Sequence, residues 1–133
     1  MGQYHYVVNL TKKQFLHAHK FNEGIKLMEF GCNSEGLMTA LAVLLSNSTG
    51  RGGGDFHGEH PLVGSWAGDS IVIAGDYAEL GDSGEGPIGK KPEPYKNIYT
   101  RCDEGEFEDI SADAIKMLKQ DEYVAKTLKA RGL

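Results

Sequence analysis

Gly36-Leu37-Met38-Thr39-Ala40-Leu41-Ala42-Val43-Leu44-Leu45-Ser46-Asn47 is apolar on nearly every side of a helical turn. A helix with no aqueous face has to be wrapped by the rest of its chain, so the pattern predicts a helix buried at the centre of the core. Upstream, Tyr4 to Leu10 alternates as a strand does, with Tyr4, Tyr6, Val8 and Leu10 on one face and His5, Val7 and Asn9 on the other. Ile25 to Phe30 is a second strand-like run, and Ser34 stands where a helix cap belongs. Downstream, Leu62 to Ala67 and Ser70 to Ala74 flank Gly68-Asp69, a pair that favours a tight hairpin. Short extended pieces follow near Asn97 to Arg101 and Phe107 to Ile110. Ser111 then opens a C-terminal helix with a break near Gln120-Asp121. The expected fold is a single α+β domain over residues 1–133: a mostly antiparallel sheet of about five strands with one buried helix and a C-terminal helix.

A chain of 133 residues is of single-domain size and buries about two-thirds of its unfolded surface. Its formal charge of -5 argues against coating duplex nucleic acid, which needs many phosphates neutralised by Lys and Arg. No apolar run approaches the length that crosses a bilayer, so no membrane partner is expected. Cys32 and Cys102 are too few for a disulfide framework, and no secretory signal is legible at Met1 to His5, so a cytoplasmic setting is expected.

The strongest site signal is Gly50-Arg51-Gly52-Gly53-Gly54-Asp55. Glycines let successive backbone N–H groups turn into one anion-sized concavity, and a guanidinium beside it suits phosphate or carboxylate. In the expected site Arg51 and the amides of Gly52, Gly53 and Gly54 hold phosphate, while Asp55 accepts from a hydroxyl. His19 and Lys20 assist, and Trp66 or Tyr77 stacks on a base. The plain alternatives are a flexible connection after a helix end, a core tryptophan and turn-forming aspartates at Asp69 and Asp76.

Gly31-Cys32-Asn33-Ser34-Glu35-Gly36 imitates the glycine spacing of a phosphate loop. Leu37 and Met38, however, occupy the positions that need Lys and Ser or Thr, which argues against nucleoside-triphosphate hydrolysis. His17, His19, His57 and His60 match no recognised metal spacing. No nucleophile elbow or Cys-His pair is present, so no catalytic residue and no cofactor is assigned. Leu80 to Tyr95, rich in Gly and Pro and carrying Lys90 and Lys91, reads as a loop able to close over a ligand.

Met1-Gly2-Gln3-Tyr4-His5-Tyr6-Val7-Val8-Asn9-Leu10, Leu27-Met28-Glu29-Phe30-Gly31, the glycine cluster and Val63-Gly64-Ser65-Trp66-Ala67-Gly68-Asp69 resemble a family of small proteins from phages and bacteria. The resemblance spans most of residues 1–77 and carries no site residue. In size and expected ligand chemistry, though not in motif, the chain is similar to the phage sponges Lockin and Sequestin, which sequester nucleotide immune signals. The expected function is non-enzymatic binding of a small phosphorylated or nucleotide-like molecule by a homo-oligomer. A phosphodiesterase acting on the same ligand class and a protein-interaction module are the alternatives.

Overall fold

In the computed structural model, residues 2–86 and 95–133 are described; Lys90 and Lys91 of the expected closing loop lie outside them. The fold is α+β, with a four-stranded mixed sheet and five helices among the described residues. The strands are β1 (His5–Asn9), β2 (Gln14–Leu16), β3 (Ile71–Gly75) and β4 (Glu108–Asp109), in the order β3-β1-β2-β4. β1 pairs antiparallel with β2 and β3, while the short β4 runs parallel to β2. The helices are α1 (Leu27–Gly31), α2 (Leu37–Leu45), α3 (Ile98–Asp103), α4 (Ser111–Leu118) and α5 (Glu122–Ala130), with a 3-10 turn at Ala18–Phe21.

The alternation of β1 sorts its side chains onto two cores. Val7 joins Leu16, Phe30, Leu44, Trp66, Met117 and Leu128 in a larger cluster built on α2, α4 and α5. Tyr6 and Val8 join Phe15, Ile98, Tyr99 and Phe107 in a smaller one under α3. The sheet is therefore covered on both faces, and α2 contributes five buried residues to the larger core, as its apolar circumference demands.

Three extended segments expected from sequence are corrected, and a fourth is present but short. Leu27 to Gly31 is helical because the Glu29 carboxylate accepts the Lys26 N–H (3.0 Å) at its first turn; Leu27 and Met28 stay exposed, and only an isolated bridge from Tyr4 to Lys26 is sheet-like. Asn97 to Arg101 becomes α3 because Asn97 caps it, its side chain accepting the Thr100 N–H (2.9 Å). Phe107 to Ile110 contributes a strand of only two residues, β4. Leu62 to Ala67 forms successive turns instead of a hairpin arm. The N–H groups of Gly64 and Trp66 donate to the Val43 and Leu44 carbonyls (3.1 and 2.9 Å) at the end of α2, where helices leave carbonyls short of intrahelical partners. The strand absent from the sequence reading is β2, and the anticipated break at Gln120-Asp121 separates α4 from α5.

Ser34 does not cap α2. The Leu37 N–H donates instead to the buried Glu23 carboxylate (2.8 Å), which Arg131 approaches to 3.3 Å while its guanidinium also donates to the Ser34 and Glu35 carbonyls. A Cβ on Gly36 would lie 2.6 Å from both Glu23 and Arg131, and one on Gly64, at φ +72°, 2.6 Å from the Ser46 carbonyl oxygen. Gly36→Ala and Gly64→Ala are each expected to lose about 1–3 kcal/mol of stability in urea unfolding. Gly52→Ala, whose Cβ meets nothing within 4 Å, is expected to stay close to wild type. Equal midpoints for all three variants would refute this account of the two glycines.

Candidate functional site

The glycine cluster follows α2, crosses solvent and returns to the fold at Phe56, which is buried in the larger core. Gly50 and Gly54 take φ of +76° and +89°, conformations open to glycine, and all six residues from Gly50 to Asp55 are exposed. Asp55 holds the bend: its carboxylate accepts the Arg51 N–H (2.9 Å) and its own N–H donates to the Gly52 carbonyl (3.2 Å). His57 Nε2 donates to that carbonyl as well (2.9 Å). The loop thus closes around its own carboxylate, and Asp55 still lines the cleft described next.

A cleft of about 610 Å³ opens between this loop, α2 and the first turn of α5, within the range of small-molecule pockets. Gly53, Gly54 and Asp55 line one side, Thr39 and Val43 of α2 the floor, and Tyr123 and Val124 of α5 the far wall, with Phe56, His57 and Asp121 between them. Tyr123 is 71% exposed, the most exposed large hydrophobic side chain among the described residues. Asp121 fixes the corner. Its carboxylate accepts the His57 N–H (2.8 Å) and the Val124 N–H (3.2 Å), joining the loop to the α5 N-terminus. The His57 amide bond, ahead of those from α5, holds its carboxyl below the ordinary carboxylate value, so it is an anion at neutral pH.

The nine expected ligand residues separate. Gly53, Gly54 and Asp55 line the cleft; Arg51 and Gly52 belong to the same loop outside its lining, and Arg51 makes no ion pair among the described residues. Trp66 is fully buried, its indole N–H donating to Gln14 Oε1 (2.8 Å), so it has no free face for a base. Tyr77 is exposed in the turn after β3, away from the cleft lining. Lys20 pairs with Asp109 (3.1 Å) and His19 packs edge-on against His17 (5.0 Å), both on the 3-10 turn and its flank. Tyr123 was missed in the sequence although it is legible there: an aromatic at the polar start of an amphipathic helix has little to bury against.

His60 Nδ1 accepts the Leu62 N–H (3.1 Å), and among the described residues no three His, Cys, Asp or Glu side chains are grouped to hold a metal ion. Cys102 is buried and its thiol is pushed up to about 12, by burial and then by Asp103, which leaves it protonated at neutral pH. Among the described residues no helix is long and apolar enough to cross a membrane. No family model, curated protein or solved structure matches the chain.

The displaced histidines have a different consequence. Burial holds His17 below its ordinary value of 6.5; His19 and Lys20 push the same way, and Asp109 and Asp103 oppose. His5 is lowered too, chiefly by burial. Above pH 6.5 neither state of the protein carries these protons. As pH falls through 6.5 the unfolded chain takes them first, so stability falls until the lower folded-state value is reached. Urea midpoints are therefore expected to drop between pH 7 and 5, and His17→Gln to flatten that drop; an unchanged slope would show that His17 does not contribute.

Proposed function

We propose that this protein binds and sequesters a small phosphorylated or nucleotide-like molecule in the cleft between the glycine loop, α2 and α5. The carrying observation is the meeting of two surfaces in one 610 Å³ space: loop backbone at Gly53 and Gly54, and an apolar wall of Val43, Phe56, Val124 and exposed Tyr123. Tyr123 has the position for stacking on a ring that was assigned to Trp66 and Tyr77. Arg51, two positions before Gly53 of the lining and without an internal ion pair among the described residues, supplies the positive charge for a phosphate at the rim.

Binding is favoured over hydrolysis by how the polar groups of the cleft are employed. Asp55 and Asp121 each accept backbone N–H bonds and His57 Nε2 donates to the Gly52 carbonyl, so these groups already serve to hold the loop. Size and ligand chemistry suggest the setting, that of a cytoplasmic phage counter-defence sponge acting as a homo-oligomer.

Calorimetry against a panel of nucleotides is expected to find a ligand whose affinity falls at least about tenfold in Arg51→Glu and in Tyr123→Ala, but not in Lys129→Glu. Ligand released by heat should be chemically intact. Cleaved product would establish the hydrolase, and no binding by any nucleotide would leave the loop as a protein-contact surface.

A further inference from the structure

A second cavity, of about 380 Å³, lies on the other side of the sheet edge, between the turn joining β1 to β2 and the helix α3. Its chemistry differs from that of the glycine-loop cleft. Lys13, Lys96 and Arg101 all line it, in a chain of net charge -5. Arg101 lies over the Phe107 ring, 5.4 Å from its centroid, so a guanidinium and an aromatic face share one wall. Leu10, Leu80 and Ile98 supply apolar floor.

The charges are unequally spent. Glu85, the one carboxylate in the lining among the described residues, is buried and accepts the Tyr95 hydroxyl (2.6 Å) and the Ile98 N–H (3.2 Å) at the start of α3. Lys96 pairs with Glu104 and Arg101 with Glu106, each at a site more than a third exposed. Such surface pairs are worth at most about 1 kcal/mol, and a dianion that meets several cations together displaces them at little cost. Lys13 forms no ion pair among the described residues. Its backbone sits at φ +55° in the turn, where its carbonyl accepts the Glu108 N–H (2.9 Å). Left-handed backbone at a lysine is uncommon, and here it places that cation at the cavity.

We propose that this cavity is a second binding site, for a small organic phosphomonoester whose apolar body lies on Phe107 and Leu10 and whose phosphate is held by Lys13 and Arg101. The apolar floor selects an ester over bare phosphate, and the three cations select phosphate over a neutral analogue.

Phenyl phosphate is the probe, titrated into the full chain by calorimetry and by amide NMR. Binding is expected to shift the Lys13, Arg101 and Phe107 amide signals and to be at least about tenfold tighter than that of inorganic phosphate or phenol. Lys13→Asn, which suits the left-handed turn, should weaken it by at least about tenfold, whereas Arg51→Glu should leave it unchanged. Shifts confined to the glycine loop, wild-type affinity in Lys13→Asn, or equal affinity for inorganic phosphate would each overturn the proposal. Because Arg51→Glu reports on the glycine-loop cleft and Lys13→Asn on this one, the two sites fail independently.

Discussion

The buried carboxylate of Glu23 is the constraint around which the fold assembles. Gly36 stands at the N-cap of α2 with no side chain to cap it, and the N–H of Leu37, the first residue of the helix, reaches Glu23 Oε1 at 2.8 Å. Glu23 has a fully buried side chain, and an ion in that position needs partners to offset its lost hydration. Arg131 supplies the opposite charge from the far end of the chain, and the same guanidinium donates to the Ser34 and Glu35 carbonyls. The 3-10 turn, the start of α2 and the end of α5 are thereby held at one point. The helix dipole adds to this arrangement, because the positive end of α2 receives a carboxylate from its own chain.

The same device recurs at each of the other places where a loop must be held. Asp121 caps α5 and retains the His57 backbone. Asn97 caps α3 while its amide donates to the Asp76 and Ala78 carbonyls, and Glu85 accepts from Ile98 beside it. Ser111 accepts the His17 N–H, and Asn9 donates to Asp69 while accepting from Lys12. A buried polar side chain is tolerated when its hydrogen bonds are made, and those of Asp121, Asn97, Ser111 and Asn9 join parts of the chain that packing alone would leave free to slide.

These ties also shape the cleft. α5 is held at its start by Asp121 and just past its end by Arg131, so the wall that carries Tyr123 stands at a set distance from α2. The glycine loop opposite is anchored at Phe56 and His57 and left open before them, where a Cβ at Gly52, Gly53 or Gly54 would meet nothing within 4 Å. A rigid apolar wall facing adaptable backbone is an arrangement suited to holding a ligand, since less ordering entropy is lost on the wall side.

Amino-acid order alone determined what depends on neighbours along the chain: the buried α2, the alternation of β1, the break before α5 and the exposed glycine loop. These are legible because periodicity and turn chemistry act over a few residues. What tertiary structure decided is how distant groups are used. Leu62 to Ala67 has strand composition, yet it spends its amides on the end of α2, and Asn97 converts an apparent strand into a helix. Trp66 lies within the quoted site motifs but closes the core against Gln14, while Tyr123, more than a hundred residues along the chain from the sheet's first strand, faces the glycine loop across the cleft. The physical reason is that burial and hydrogen-bond satisfaction are settled by partners far away in sequence, and local pattern contains no information about which partner arrives.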